Sequence, residues 1–525
     1  MSTPRAAGRD GPDRAALAAA VEGDSVFRGG AWSSASRLIP QLYVLAISVA
    51  GARFLGAEAF GRQSFISFVE LSVVLLLTGG VSVAAVRFIG DSLGRGEPAR
   101  IERLVAWAWR VEGLAAVVGG GTLAVAALAG ADPRAAWLFA AVACSVGVLH
   151  SVPSALLIGM QRWRDASIVG LVTGAVAMAA TVAVLAAGGG ITGMFAVEAA
   201  VAVVNLAWTT VLARRALGRV ATRATDRIDR HVWRELRART WRYALPASYG
   251  VLLTLVVWRR SEFFFLERYS TDTQIALYSV VFAVVAALTQ FPEVIGAVAL
   301  PAVATLSGAG EADRIRAGFA RGLRLVALVA LPTTAAALAL GPRLLRLVFG
   351  EDFEGTAPVL LIMLAPFPLL PLLSLSRSVL GGLGRLRFQL AAETVAVAVN
   401  IALAFALVAD HGAVGAAISN VAAQLTAATL VLSYALWSVG GVHWRPVSLW
   451  RGAVASVGAG GAGWAGVALL DGVAGLAVGA LLASTVFAAL AVALKILPRD
   501  DAAWLREAAG GRFGGLLTTV CDRCS

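Results

Sequence analysis

Two adjacent arginines and a glutamate, Arg259, Arg260 and Glu262, interrupt an apolar run from Tyr243 to Leu266. A run of that length can cross a bilayer as a helix. A charged side chain near the centre of such a helix costs about 2.5–3.5 kcal/mol on insertion scales. Charges held there are either paired with a neighbour or face water and an anion. Three more arginines, Arg37, Arg110 and Arg377, fall inside comparable runs. The planar guanidinium fork matches the oxygens of a phosphate, so the chemistry open to these residues is recognition of a phosphorylated anion.

Embedded acids accompany them: Glu70, Glu112, Glu198, Glu262, Glu293 and Glu393. Each can serve as a counter-charge, as a protonation site, or simply as half of a structural pair. Glu262 follows Arg259 by three residues, a spacing that pairs side chains on one helix face. Glu293 stands beside Pro292 deep in its run. Asn205, Asn400, Asn420 and Gln424 fit hydrogen bonds between helices. The four histidines, His150, His231, His411 and His443, are scattered, and no metal centre is expected. Cys521 and Cys524 have CxxC spacing but lack the second pair of ligands that a zinc site needs, so they read as a passive tail.

The elements that must position these residues are membrane helices. The 525-residue chain is 58% hydrophobic and only 14% charged, where soluble domains carry about 25% charged residues, and its mean hydropathy is +0.79. Residues 1–28 are polar and arginine-rich, and no cleavable signal is expected. The net charge of +12 is spread as topology determinants and does not call for nucleic acid. Arginine supplies all but one of the 44 basic residues.

Spanning-length runs fall at 29–52, 64–89, 104–130, 135–159, 168–187, 190–213, 242–266, 274–306, 323–347, 356–382, 388–409, 412–438, 451–470 and 473–494. These predict an all-α integral membrane protein with fourteen transmembrane helices. Basic residues collect on the cytoplasmic side. Placing both ends there puts 33 of the 44 on the inner face against 6 on the outer. The expected layout is a cytoplasmic tail (1–28), a first lobe (29–213), a cytoplasmic amphipathic linker (214–241), a second lobe (242–438), two further spans (451–494) and a cytoplasmic tail (495–525). Within the linker, Thr225–Arg239 reads as a helix lying on the inner membrane face.

In that frame Arg37 and Arg377 either face a cavity or reach the inner headgroups. Arg259 and Arg260 either face a cavity or reach the outer ones. Adjacent on a helix, the last two project about 100° apart, so at most one points squarely inward. Prolines 366, 368 and 371 make the tenth span the expected bending element.

The two lobes repeat. Gly96-Glu97-Pro98-Ala99-Arg100-Ile101 matches Gly310-Glu311-Ala312-Asp313-Arg314-Ile315. Leu157-x-Gly159-x-x-Arg162-x-Arg164 matches Leu380-x-Gly382-x-x-Arg385-x-Arg387, and Gly190-x-x-Gly193 matches Gly412-x-x-Gly415. The offsets are 214, 223 and 222 residues. Six spans separate equivalent points, so the lobes share one orientation, related by a pseudo-two-fold axis along the membrane normal. A cavity between them would open by rocking.

The run Ala52-Arg53-Phe54-Leu55-Gly56-Ala57-Glu58-Ala59-Phe60-Gly61 resembles the first outer loop of bacterial polysaccharide (O-antigen, Wzx-type) flippases. These belong to the MOP superfamily, with the MATE exporters and lipid II flippases. Glu262-Phe263-Phe264-Phe265-Leu266, Ala276-Leu277-Tyr278-Ser279 and Val348-Phe349-Gly350-Glu351-Asp352-Phe353 are similar to family patterns in the second lobe. The resemblance covers roughly residues 25–440. It implies transfer of a polyprenyl-diphosphate-linked glycan from the inner to the outer leaflet of the cytoplasmic membrane by alternating access. The diphosphate and sugar contacts are then expected at Arg37, Arg259, Arg260 and Arg377. Coupling or counter-charge is expected at Glu262, Glu293, Glu70 and Glu393. The acid of the seventh span, usually aspartate in the family, is glutamate here and follows two arginines.

No cofactor is expected; a proton or sodium gradient or the membrane potential would drive transfer. Membrane lipids and polysaccharide-assembly proteins are the expected partners. A lipid II flippase and a cation-coupled small-molecule exporter are the alternatives among transporters, and the arginines favour an anionic substrate. A polytopic glycosyltransferase or polymerase would need catalytic acids in sizeable outer loops. The first outer loop offers only Glu58, so an enzyme is not expected.

Overall fold

The structure, a computed structural model, describes residues 23–221, 229–258, 261–442 and 446–508; within these, the side chains of 23–38, 220–221, 290–298, 301–302, 304–305 and 504–508 lie outside the description. Among the described residues all regular structure is helical. That is the expected answer of an apolar chain to a solvent with no hydrogen bonds to offer its backbone.

In chain order the helices are α1 (Gly23–Gly94), α2 (Pro98–Leu128), α3 (Arg134–Gly159), α4 (Trp163–Ala186), α5 (Gly190–Ala221), α6 (Arg230–Trp258), α7 (Glu262–Tyr269) and α8 (Asp272–Gly308). They continue as α9 (Ala312–Phe349), α10 (Thr356–Leu364), α11 (Leu370–Gly382), α12 (Leu386–Ser438), α13 (Pro446–Leu469), α14 (Gly472–Leu494) and α15 (Arg499–Ala508). Ten helical segments among the described residues are long and apolar enough to cross a membrane. Two of them are folded back: α1 breaks at Gly56 (φ 75°) and α12 at Gly412 (φ 51°). The runs 242–266 and 356–382 are each divided between two helices. In the second of these the proline cluster does the dividing. Pro366 and Pro368 sit in turns between α10 and α11, where Phe367 and Leu369 donate to carbonyls three residues back.

The repeat read from the sequence is present in the backbone. Gly96 and Gly310 occupy equivalent turns with φ of 69° and 75°, Gln161 and Gly384 with 59° and 71°, and Gly190 and Gly412 with 58° and 51°. Left-handed φ is costly for most residues and nearly free for glycine. Five of the six positions are glycine, and the sixth, Gln161, adopts the same conformation. The surrounding bonds match too. Arg162 N donates to Leu157 O and Arg385 N to Leu380 O, both over 2.8 Å. The ion pair Arg100–Glu97 (2.8 Å) has its counterpart in Arg314–Glu311.

Outer and inner ends are named here from the basic-residue bias. At the outer end one apolar core is shared by both lobes: Phe60, Ile66 and Phe68 from α1 pack with Phe263, Tyr278, Phe349 and Phe353. At the inner end the core divides in two. One half gathers Ile89, Leu104, Trp107 and Leu157 around the first lobe; the other gathers Phe319, Leu373, Leu380 and Val431 in the second. The lobes thus share one core at the outer end, and at the inner end they keep separate cores that, among the described residues, meet only along α1 and α6.

The second arm of α1, residues 57–94, carries most of the seam. Arg62 bridges Glu267 (2.7 Å) and Asp272 (3.1 Å), Ser279 donates to Ser64 (3.0 Å), and Phe68 meets Phe263 and Phe264 edge-on. A Cβ on Gly61 would lie 1.8 Å from Asp272 O, and one on Gly80 would lie 1.9 Å from Ser248 Oγ. Nearer the inner end, Phe88 packs edge-on against Tyr243. The first arm adds Arg53, which donates to the carbonyls of Leu347 and Val348.

Residues 230–258 form one continuous helix, in which 230–239 of the expected linker run directly into the seventh span; 222–228 lie outside the described residues. No glycine or proline stands between Arg230 and Leu245 to end the helix. The inner end of α6 packs on the first lobe, with Trp233 and Leu236 in its core, while Val257 packs with Ala396, Ala423 and Ala427 of α12. Helix α6 therefore straddles the lobes. The last two spans, α13 and α14, lie against α9. Arg343 pairs with Asp471 at the outer end; at the inner end Asp501 of α15 accepts from Arg324 Nε (2.9 Å) and from Arg321 Nε (3.2 Å).

Candidate functional site

Glu262 opens α7 just where the seventh span is interrupted, and it is fully buried. A buried carboxylate needs donors, and two helices supply them. Asn400 and Asn420 of α12 donate through Nδ2 to Oε1 over 2.7 and 2.9 Å. Tyr278 of α8 donates through its hydroxyl to Oε2 over 3.0 Å. Gln424 Nε2 in turn donates to Asn420 Oδ1 (2.7 Å), one helical turn along. The break at Gly412 folds α12 so that Asn400 and Asn420 flank one acid. Asn400 and Asn420 tie α12 to α7 as the sequence suggests, whereas Gln424 bonds within α12 and Asn205 Oδ1 accepts from Thr209 of its own helix; that Glu262 is the common acceptor of the two α12 asparagines is not visible in the linear pattern. Its expected partner Arg259, with Arg260, lies outside the described residues.

About two turns along α12 toward the inner end, Glu393 accepts from Arg377 of α11 over 2.8 Å. The Arg377 guanidinium stacks on the Trp258 ring, 4.6 Å from its centre. Arg377 is thus clamped between a carboxylate and an indole. Two donors in this clamp remain unspent: Arg377 Nε and Trp258 Nε1 are buried without a hydrogen-bond partner among the described residues. A buried donor without a partner costs about 1–3 kcal/mol, a cost that an oxygen acceptor reaching either atom would offset. Arg37 and Glu293 lie on α1 and α8, but their side chains are outside the description. Of the four predicted arginines, Arg377 alone has its side chain among the described residues. Arg110 is exposed on α2.

The first lobe has its own acids. Glu198 lines a cavity of about 400 Å³ together with Gln63, Ser64, Ser67, Thr181 and Ser279. Glu70 is buried behind it, close enough for the two charges to interact, and its Oε2 has no partner. Glu112 on α2 is buried with both oxygens unpartnered, beside Ser151 of α3. The acids of the two lobes therefore differ in kind: Glu262 is saturated with donors, and Glu70 and Glu112 are not. Among the described residues no group of three or more histidine, cysteine, aspartate or glutamate side chains could hold a metal ion. Cys144 is buried; Cys521 and Cys524 lie outside the described residues.

Sequence reasoning missed the interlobe bridge from Arg62 to Glu267 and Asp272, and the Asp501 clamp. Both join residues far apart in the chain, at spacings that no local pattern reports.

A family model described as polysaccharide biosynthesis protein matches residues 26–307, and one described as lipid II flippase MurJ matches residues 287–471. No curated protein matches the chain. Among solved structures, a lipid II flippase MurJ in an inward closed conformation superposes with a TM-score of 0.65 at 11% identity, covering 89% of this chain and 98% of that one. A multidrug resistance MATE family transporter of the MOP superfamily, inward-facing, gives 0.61 at 14% identity, covering 78% and 98%. A eukaryotic MATE transporter gives 0.52 at 15% identity, covering 82% and 98%. These likenesses establish the fold: an all-α membrane protein of the kind shared by these transporters.

Proposed function

The chain belongs to the polysaccharide biosynthesis protein family, and on that footing we propose that it is a flippase. It carries a polyprenyl-diphosphate-linked oligosaccharide from the inner to the outer leaflet of the cytoplasmic membrane. The observation that carries this reading is the Arg377 clamp: a guanidinium within an apolar span, fixed by Glu393 and Trp258, with Nε–H unspent. A diphosphate oxygen would satisfy that donor and offset the positive charge. Arg37, Arg259 and Arg260 complete the cationic path. No bond is made or broken; the protein gives a charged headgroup a route around the low dielectric of the bilayer while the polyprenyl tail stays in lipid.

Fourteen crossings with both ends cytoplasmic are part of the same proposal, as is alternating access by rocking of the lobes. A proton or sodium gradient or the membrane potential supplies the energy. Glu262, Glu293, Glu70 and Glu393 act as coupling groups or counter-charges. Membrane lipids surround the path, and polysaccharide-assembly proteins receive the product.

A second reading, lipid II as the cargo, is favoured by the match of residues 287–471 to the lipid II flippase model. The two share a diphosphate and a polyprenyl tail and differ in the glycan. Reconstitution into liposomes separates them. With a fluorescent polyprenyl-diphosphate oligosaccharide, the wild type should expose the label to outer quencher, and Arg377→Ala should slow transfer at least about tenfold, as loss of one charge-assisted contact implies. Faster transfer of lipid II than of the oligosaccharide would move the substrate assignment. Unchanged transfer in Arg377→Ala would remove the clamp from the path.

A further inference from the structure

At the inner end of the seam, a cavity of about 440 Å³ lies between the second arm of α1 and α6. Arg87, Asp91 and Arg95 face it from one helix, and Arg239, Arg242 and Tyr243 from the other. Four guanidiniums thus surround one carboxylate. Arg95 is paired with that carboxylate, Asp91, over 3.1 Å, and Arg239 with Glu235 over 2.5 Å. Arg87 has no carboxylate partner among the described residues; its guanidinium lies 4.3 Å from the centre of the Tyr243 ring. Arg242 likewise has none. Two positive charges are left unmet in a concave site.

The depth of the site is marked independently. Trp241, beside Arg242, packs edge-on against Trp107 of α2 with ring centres 5.4 Å apart. Phe88 and Tyr243 close the apolar floor. Tryptophan gathers at the boundary between headgroups and hydrocarbon, so the arginines stand at headgroup level with aromatic rings beneath them. Guanidinium groups over an apolar floor at that depth suit a phosphate whose acyl or prenyl chain runs on into the bilayer.

We propose that this cavity binds the phosphate or diphosphate headgroup of an inner-leaflet lipid, with Arg87 and Arg242 as its principal ligands. The site is separate from the Arg377 clamp and does not depend on which glycan the protein carries. It sits on the joint where α6, continuous with the second lobe, packs on the first. A bound anion links Arg87 on α1 to Arg242 on α6 and relieves their mutual repulsion. It therefore holds the inner stretch of α6 against the first lobe. Because the site is open to water, ionic strength weakens the interaction.

The test is binding of dioctanoyl phosphatidylglycerol and of farnesyl diphosphate to the full-length protein in neutral detergent, counted by native mass spectrometry. Arg87→Gln with Arg242→Gln should weaken both ligands by at least about tenfold. Asp91→Asn removes the one lining carboxylate and should tighten both by about threefold, a gain that misfolding cannot imitate. Arg268→Gln, at the outer end of α7, should change nothing. Inorganic diphosphate that competes on equal terms would identify the phosphate group alone as the ligand; failure to compete would identify the lipid. Wild-type affinity in the double variant overturns the proposal. So does a loss in the double variant with no gain in Asp91→Asn.

Discussion

Asn420 donates to the Glu262 carboxylate over 2.9 Å and so ties the helix that leaves the Gly412 break to the helix that Glu262 opens. With Asn400 and Tyr278 it holds one acid from two neighbouring helices. Glu262→Gln keeps an acceptor for the asparagines and turns an N–H toward the Tyr278 oxygen, which can accept. Glu262→Ala leaves several buried donors empty, at about 1–3 kcal/mol each. Denaturant unfolding in micelles should place the glutamine variant near wild type and the alanine variant several kcal/mol below it. Equal losses in the two would mean that the knot is not held together by these bonds.

The bridge from Arg62 to Glu267 and Asp272 is partly exposed, its side chains at 31%, 30% and 19%, so its contribution to stability is small, about 1 kcal/mol or less. Its effect on the approach of the lobes is the larger one. In a background lacking the tail cysteines, Ser64→Cys should be labelled slowly by a maleimide from outside. Adding Arg62→Glu, which sets three acids against one another, should speed labelling several-fold. Pairing Arg62→Glu with Glu267→Arg should slow it again.

Close approach of helices makes a second demand on the seam. A Cβ on Gly61 or Gly80 would overlap the opposite lobe at 1.8 or 1.9 Å, whereas one on Gly113 meets nothing within 4 Å. Gly61→Ala and Gly80→Ala should each force the lobes apart and lower transfer by about tenfold or more, with overpacking costs of about 1–3 kcal/mol. Gly113→Ala should behave as wild type in the same liposome assay. A fully active Gly61→Ala protein would show that transfer does not need the lobes this close.

Asp501 is almost wholly buried against Arg324 and Arg321. Asp501→Asn loses the charge that holds α15 to α9 and leaves a buried arginine uncompensated, a loss of several kcal/mol. Limited proteolysis should then cut after Arg499 well before it cuts the wild type. Restraint of the tail by α13 and α14 alone would leave the two digestion rates equal.

Much of this architecture is legible in the residues because the bilayer leaves so little choice. Apolar run length and the loop arginines report the spans, and glycine at turn positions such as Gly96 and Gly310 reports the repeat. The turn at Gln161 shows how far that logic extends: its partner Gly384 carries the signal and Gln161 does not, yet both adopt the same backbone. The candidate site was less legible. Arg377 stands out as a charge in an apolar run, but its pairing with Glu393 and stacking on Trp258 depend on how three helices meet. Arg87 and Arg242 stand at the ends of their apolar runs with nothing in the linear pattern to single them out; only their convergence across two helices makes a cavity of them.

Residues 57–94 touch the second lobe along nearly their whole length, from Arg62 at one end to Phe88 at the other. Geometrically they are an axle. Two bodies joined along an axle cannot part there without stripping every contact on it, so a rolling motion must widen the gap on the far side. A cargo with a long hydrocarbon chain would then enter and leave by one flank of the protein, and the other flank would remain shut throughout the cycle.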